Sequence, residues 1–339
     1  MERINRQLRL AHRPVGMVDD DTFELVEEPL RDLEPGEYLV RTVYLSIDPT
    51  NRVWIRDEPS YLPPVAIGEV MRGGTIGEVV ESRHDDFPVG TAVLGMLGWQ
   101  EYAIVGGDVL ARAVPPGVPL QQMMSVFGTT GVTAYFGMLD VAKPQAGETV
   151  VVSGAAGATG SVAGQIAKIQ GATVVGIAGT PDKCRWLTDE LGFDGAVNYR
   201  ADDVGARLDE LCPHGIDVFF DNVGGEILDT VLGRLAIGAR LALCGAISTY
   251  NAGDQPPPIH WYMNLVVKRA RMEGFLVLDY LDRFPEAVLQ LVEWVGEGRI
   301  RWRDHVVDGL ESAPRALNML FTGENTGKLM VKVGPDPTG

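Results

Sequence analysis

A chain of 339 residues that is 45% apolar and 22% charged has room for two domains of ordinary size and a substantial core, and is neither disordered nor fibrous in composition. Its net charge of -17 repels nucleic acid and anionic membranes at long range, so neither is expected as a partner. No run approaches bilayer-spanning length, the N-terminus lacks a signal-type apolar core, and Cys184, Cys212 and Cys244 are odd in number and outside C-x-x-C spacing. A cytoplasmic protein without a disulfide framework or zinc cluster is expected.

Up to about residue 125 the chain is rich in short strands. Residues 37–46 alternate as a half-buried strand does, after the turn Pro35-Gly36, and 74–82 and 91–96 follow as further strands. Their close spacing, with Gly and Pro between them, predicts a partly closed antiparallel barrel. Between them lies the polar turn Ser46-Ile47-Asp48-Pro49-Thr50-Asn51-Arg52-Val53-Trp54. From 123 to 139 the pattern turns helical, broken at 128–131, and this is the expected domain junction.

Strands and helices then alternate. Strands are predicted at 149–153, 173–178, 195–199, 216–220 and 239–244, with helices at 160–170, 181–191, 203–211 and 225–235, so the fold class is α/β with a doubly wound parallel sheet. Amphipathic helices near 284–295 and 313–321 and a last strand at 327–333 close the chain.

The first of these strands, Thr149-Val150-Val151-Val152, enters Ser153-Gly154-Ala155-Ala156-Gly157-Ala158-Thr159-Gly160. Gly157 and Gly160 occupy the second and third positions of a G-x-G-x-x-G fingerprint, and Ala155 the first. Backbone N–H groups at the helix start then suit a pyrophosphate. The second strand ends Ile177-Ala178-Gly179-Thr180 without the carboxylate that would bond a ribose 2′-OH and repel a 2′-phosphate, which permits NADP(H). Lys183 and Arg185 supply positive charge in the next turn, or are plain surface charges; Asp182 opposes them unless it caps the helix begun at Pro181. Asn222 ends the fourth strand, as a ribose or nicotinamide ligand or as a turn former before Gly224-Gly225.

Together with Phe220-Asp221-Asn222-Val223-Gly224-Gly225, Cys244-Gly245-Ala246-Ile247-Ser248-Thr249-Tyr250-Asn251, Arg271-Met272-Glu273-Gly274-Phe275 and Glu324-Asn325-Thr326-Gly327-Lys328, these segments resemble the medium-chain dehydrogenase/reductase superfamily. They are most similar to its zinc-free prostaglandin reductase, leukotriene hydroxydehydrogenase and curcumin or alkenal reductase group. The resemblance implies a GroES-like barrel-type catalytic domain at 1–125 completed by 305–339, and an inserted Rossmann domain at 126–304. It implies NADPH as cofactor and a homodimer. It assigns the 2′-phosphate to Thr180, Lys183 and Tyr199, and the rest of the cofactor to Ala156, Gly157, Ala158, Thr159, Gly160, Asn222, Cys244, Ala246, Ile247, Tyr250, Phe275 and Asn325. No cysteine precedes residue 184, and Ile67-Gly68-Glu69 lacks the histidine of the zinc-dependent relatives, so no metal site is expected. Thr50 stands where family members usually carry an aromatic residue, which alters the pocket wall.

Without a metal, hydride from NADPH suits the β-carbon of an α,β-unsaturated ketone or aldehyde, whose charge gathers on the carbonyl oxygen as an enolate. The resemblance suggests as donors to that oxygen the nicotinamide ribose 2′-OH and a tyrosine, Tyr250 first and Tyr262 second, unless Tyr250 only packs beside the cofactor; Arg52 either orients the substrate or pairs with Asp48. A quinone reductase and a non-catalytic NADPH-binding protein are the competing expectations.

Overall fold

The computed structural model describes residues 3–58, 60–107, 109–252 and 257–337. In chain order the strands of the N-terminal segment are β1 (Ile4–Leu10), β2 (Phe23–Pro29), β3 (Tyr38–Ser46), β4 (Thr75–Ser82), β5 (Ala92–Gly95), β6 (Tyr102–Val105) and β7 (Ala111–Ala113). There follow β8 (Thr149–Val152), β9 (Thr173–Ala178), β10 (Gly195–Asn198), β11 (Ile216–Asp221), β12 (Leu235–Leu243) and β13 (Arg271–Gly274), and finally β14 (Asp304–Asp308) and β15 (Lys328–Lys332). The chain forms two compact units, Met1–Met124 with Asp304–Asn325 and Leu329–Gly339, and Ser125–Arg303 with Thr326–Lys328.

The N-terminal unit is built on β3. Nine residues with almost every side chain buried give a strand that pairs along one edge with β4, antiparallel. Its other edge is divided: β6 takes Tyr38 to Arg41 and β15 takes Tyr44 to Ser46, both antiparallel. Register shifts between β3 and β4 near Leu39 and Thr42 bend the sheet there. Its seven strands run β14-β15-β3-β4-β5-β7 with β6 beside β3, and β1 and β2 form a separate hairpin. Trp99, Leu10, Leu45 and Ile55 are the buried centre of its core.

The second unit is a six-stranded sheet in the order β10-β9-β8-β11-β12-β13, parallel throughout, the doubly wound arrangement expected from the alternation. Val151, Val175, Ile177 and Phe219 are buried beneath it, as apolar runs of central parallel strands require. The helix after the glycines starts at Ala158, two residues earlier than its apolar spacing indicates, because Gly157 is extended and its carbonyl accepts from Ser161 N at 3.1 Å. The helix after β11 stops at Leu232 with Gly233 at its C-cap, which releases Leu235 to begin β12 four residues before the predicted 239. The break in the 123–139 pattern falls at 125–128, between helices Leu120–Met124 and Thr129–Phe136.

Candidate functional site

The carboxyl ends of β8, β11 and β12 are held by one hydrogen-bond network. Ser153 Oγ donates to Asp221 Oδ1 at 2.6 Å and accepts from Asn222 N at 2.8 Å. The same carboxylate takes the N–H groups of Val223 and Gly224 at 3.0 Å, and burial pushes it up while these bonds pull it down. Asn222 Nδ2 donates to Ser153 O at 2.7 Å, so this amide links two strand ends. The N–H groups of Cys244 and Gly245 reach Asp221 O, and that of Ile247 reaches Asn222 O, so the segment carrying Cys244, Ala246 and Ile247 is tied to β11.

Ala156, Gly157, Ala158, Thr159 and Gly160 form the turn between β8 and its helix. Gly160 has no alternative: a Cβ there would lie 2.4 Å from Gly154 O and 2.9 Å from Ala155 Cα. At Gly157 a Cβ would meet only Gly154 O, at 3.2 Å, so the bareness of that position leaves the backbone approachable from outside. Gly327 N donates to Ala156 O at 2.8 Å and pairs with Gly157 as a parallel bridge, so Thr326–Lys328 is stitched to the turn.

At the end of β9, Thr180 Oγ1 accepts from Lys183 N at 3.3 Å and caps the helix opened by Pro181. The capping role considered for Asp182 thus belongs to Thr180; Asp182 lies within the first turn and pairs with Arg185. Lys183 is held below the usual amine range, first by burial and then by the charge of Arg200. The Arg200 guanidinium lies 5.6 Å from the centroid of the Tyr199 ring, and that ring covers Gly179, where a Cβ would lie 2.8 Å from it. Two cations and a phenol therefore converge beside a capped helix. Sequence reasoning missed Arg200; its signal was only that it follows Tyr199 at the end of β10. A bare-backbone cradle followed by two like charges fits a dinucleotide with an additional phosphate.

Tyr250 accepts a hydrogen bond from Ala246 N at 3.1 Å through its hydroxyl oxygen, and an N–H donated into a phenol oxygen strengthens the phenol's own O–H as a donor. Tyr262 is 59% exposed. Phe275 meets Phe220 edge to face at 6.1 Å and covers Gly137, where a Cβ would lie 2.3 Å from its ring. Arg52 and Asn325 belong to the N-terminal unit and both are buried. Arg52 donates to Gly16 O and Pro14 O, both at 3.0 Å, so its guanidinium fastens the loop before residue 17. The bonds of Asp48 include one accepted from Ser46 Oγ. Among the described residues no three His, Cys, Asp or Glu side chains are grouped to hold a metal ion.

Two family models match the chain: an N-terminal domain of oxidoreductase over residues 6–112 and a zinc-binding dehydrogenase over residues 158–294. The chain is 43% identical to the NADPH-dependent curcumin reductase of Escherichia coli, with 98% of each chain covered. It is 39% identical to the NADP(+)-dependent 2-alkenal reductase of Nicotiana tabacum, with 97% of each covered. The structure of CurA from Vibrio vulnificus in complex with NADPH is similar at a TM-score of 0.92 and 42% identity, covering 97% of this chain and 99% of that one. The chain belongs to the zinc-free curcumin, prostaglandin and alkenal reductase group of the medium-chain dehydrogenase/reductase superfamily.

Proposed function

We propose that the protein is an NADPH-dependent reductase of the carbon-carbon double bond of α,β-unsaturated ketones and aldehydes. The observation that carries this reading is Tyr250, a phenol primed as a donor at the carboxyl end of the sheet whose glycine turn and paired cations suit NADPH. The cofactor supplies a hydride to the β-carbon of the acceptor. The chain does the rest. The turn Ala156 to Gly160 would take the pyrophosphate, Thr180, Lys183, Tyr199 and Arg200 the 2′-phosphate, and Asn222, Cys244, Ala246, Ile247 and Phe275 would line the remainder. Tyr250 donates to the carbonyl oxygen, where charge develops, and lowers the barrier by stabilising the enolate.

With NADPH consumption as readout, enones and enals are expected to be reduced and NADH to be a much poorer reductant. Turnover of quinones alone would replace this reading by a quinone reductase, and NADPH binding without turnover on any acceptor would make the protein a binding module.

The protein is further proposed to act as a cytoplasmic homodimer. No helix among the described residues is long and apolar enough to cross a membrane. Strand β13 is the edge of its sheet, and antiparallel pairing of two copies about Met272 sets Arg271 of one copy against Glu273 of the other. Near it in sequence, Trp261, Val266 and Val267 are each more than half exposed, a costly surface for a monomer. Light scattering on the purified protein is expected to give twice the mass of one chain, and a monomer at micromolar concentration would refute the assignment.

A further inference from the structure

Asp221 is a buried carboxylate that no step of the reduction has used. It is 1% exposed, and Ser153, its partner across the sheet, is wholly buried, so neither side chain is open to a ligand. β8 and β11 are neighbours in the sheet although β9 and β10 come between them in the chain. The Ser153–Asp221 hydrogen bond therefore crosses the point where the strand order reverses, which is where open α/β sheets bind their ligands. A carboxylate is costly in such a place unless donors fill its lone pairs, and Oδ1 alone accepts from Ser153 Oγ, Val223 N and Gly224 N.

Two of those donors belong to the carboxylate's own chain, two and three residues on, so Asp221 folds the loop 222–224 about itself as an Asx turn does. Gly224 completes the turn at φ +68°, and a Cβ there would lie 3.0 Å from Ala246 Cβ. The bare backbone of the loop thus lies directly against the segment that follows β12.

Three consecutive carbonyl oxygens then carry that segment. Asp221 O accepts from Cys244 N at 2.8 Å and Gly245 N at 3.1 Å, and Asn222 O accepts from Ile247 N at 3.2 Å. Val223 O accepts from Ser248 N at 3.1 Å and from Ser248 Oγ at 2.6 Å. Tyr250 stands at the end of the segment, its backbone N–H on Ile247 O at 3.3 Å and its hydroxyl on Ala246 N. A shift of the loop moves the phenol with it.

We propose that Ser153 and Asp221 are positioning residues for the reduction: their buried clasp sets the loop 222–224, the loop seats the segment 244–248, and the segment aims the Tyr250 phenol at the reacting oxygen. This rests on the enone reading with Tyr250 as donor, and the test separates the two. Ser153→Ala opens the clasp at its buried end, and Ser248→Ala removes one tether at its exposed end. Each is made in the wild type and in Tyr250→Phe, with kcat for one enone, KM for NADPH and NADH, and thermal midpoint measured on every chain. In the wild-type background Ser153→Ala is expected to lower kcat by about tenfold and Ser248→Ala by about fivefold, less than loss of the phenol, because a misaimed donor still donates. In Tyr250→Phe neither should cost more than about a further twofold, since what the clasp positions is already gone. KM for NADPH and NADH should keep their ratio, unlike in Lys183→Ala. Equal losses with and without the phenol make the clasp a support of something other than Tyr250 and overturn the assignment, as does an unchanged kcat in both serine variants. If Ser153→Ala does not fold, Ser248→Ala decides on the same comparison. All of these leave the enone reading standing so long as Tyr250→Phe itself lowers kcat. An undiminished kcat in Tyr250→Phe overturns the donor role and this proposal with it, and absence of turnover on every enone overturns the enone reading.

Discussion

Replacing Lys183 with alanine is expected to raise KM for NADPH by about 10- to 100-fold while leaving KM for NADH nearly unchanged, the range of one charge-assisted hydrogen bond to a phosphate. The reason is electrostatic. Lys183 is partly desolvated and lies in the field of Arg200, so the protein alone makes its positive charge harder to hold. A dianionic 2′-phosphate reverses that balance, because each cation then meets an opposite charge in place of a like one. Arg200→Ala should act in the same direction and less strongly, since Arg200 follows an exposed tyrosine on a turn and is well solvated. The double variant should lose less than the sum, because removing either cation relieves the repulsion felt by the other. Steady-state kinetics with both cofactors decide the matter, and equal losses with NADPH and NADH would remove these residues from the 2′-phosphate.

The second large effect concerns Tyr250. Tyr250→Phe is expected to lower kcat for enones by about 100-fold, the low end of what an oxyanion donor contributes, with KM for NADPH changed little. The structure also provides the competing outcome. The Tyr250 hydroxyl accepts Ala246 N, so phenylalanine leaves that N–H without this acceptor and loosens the segment that carries Ala246 and Ile247. If bracing the segment is all Tyr250 does, KM for NADPH rises and kcat holds. The split between the two constants, measured with saturating enone, separates a donor to the reacting oxygen from a brace.

The second unit was legible because its physics is local. β-Branched runs such as Val150-Val151-Val152 and Val174-Val175, buried on both faces, alternate with helical spacing, and each βα turn carries its own glycine or cap. The N-terminal strands were legible only where they alternate cleanly, as in β3 and β4. β1 and β2 were missed because Arg6, Arg9, Glu27 and Glu28 interrupt their apolar pattern, and each strand is fixed by pairing with the other across a long loop. β13 was missed because an edge strand reading Arg271-Met272-Glu273-Gly274 has no apolar run to announce it. At the site, Thr180, Lys183 and Tyr199 could be named from the family resemblance, but Arg200 could not. Arg200 matters only through its nearness to a lysine seventeen positions earlier. That spacing belongs to neither a helix nor a strand.

The divided edge of β3 has a consequence for how the chain comes to be folded. β6 reaches its place on that edge about sixty residues after β3, but the other half of the edge waits for β15, near the end of the chain. A growing polypeptide can therefore complete the whole parallel sheet, from β8 to β13, while the unit that began first still lacks its final strand. The Rossmann part should become protease-resistant during synthesis before the N-terminal part does, reversing the usual order in which the first domain made is the first to fold. During that interval the backbone of Tyr44, Leu45 and Ser46 is an open strand edge in a nascent chain, the kind of surface on which chaperones act and on which a truncated product would aggregate.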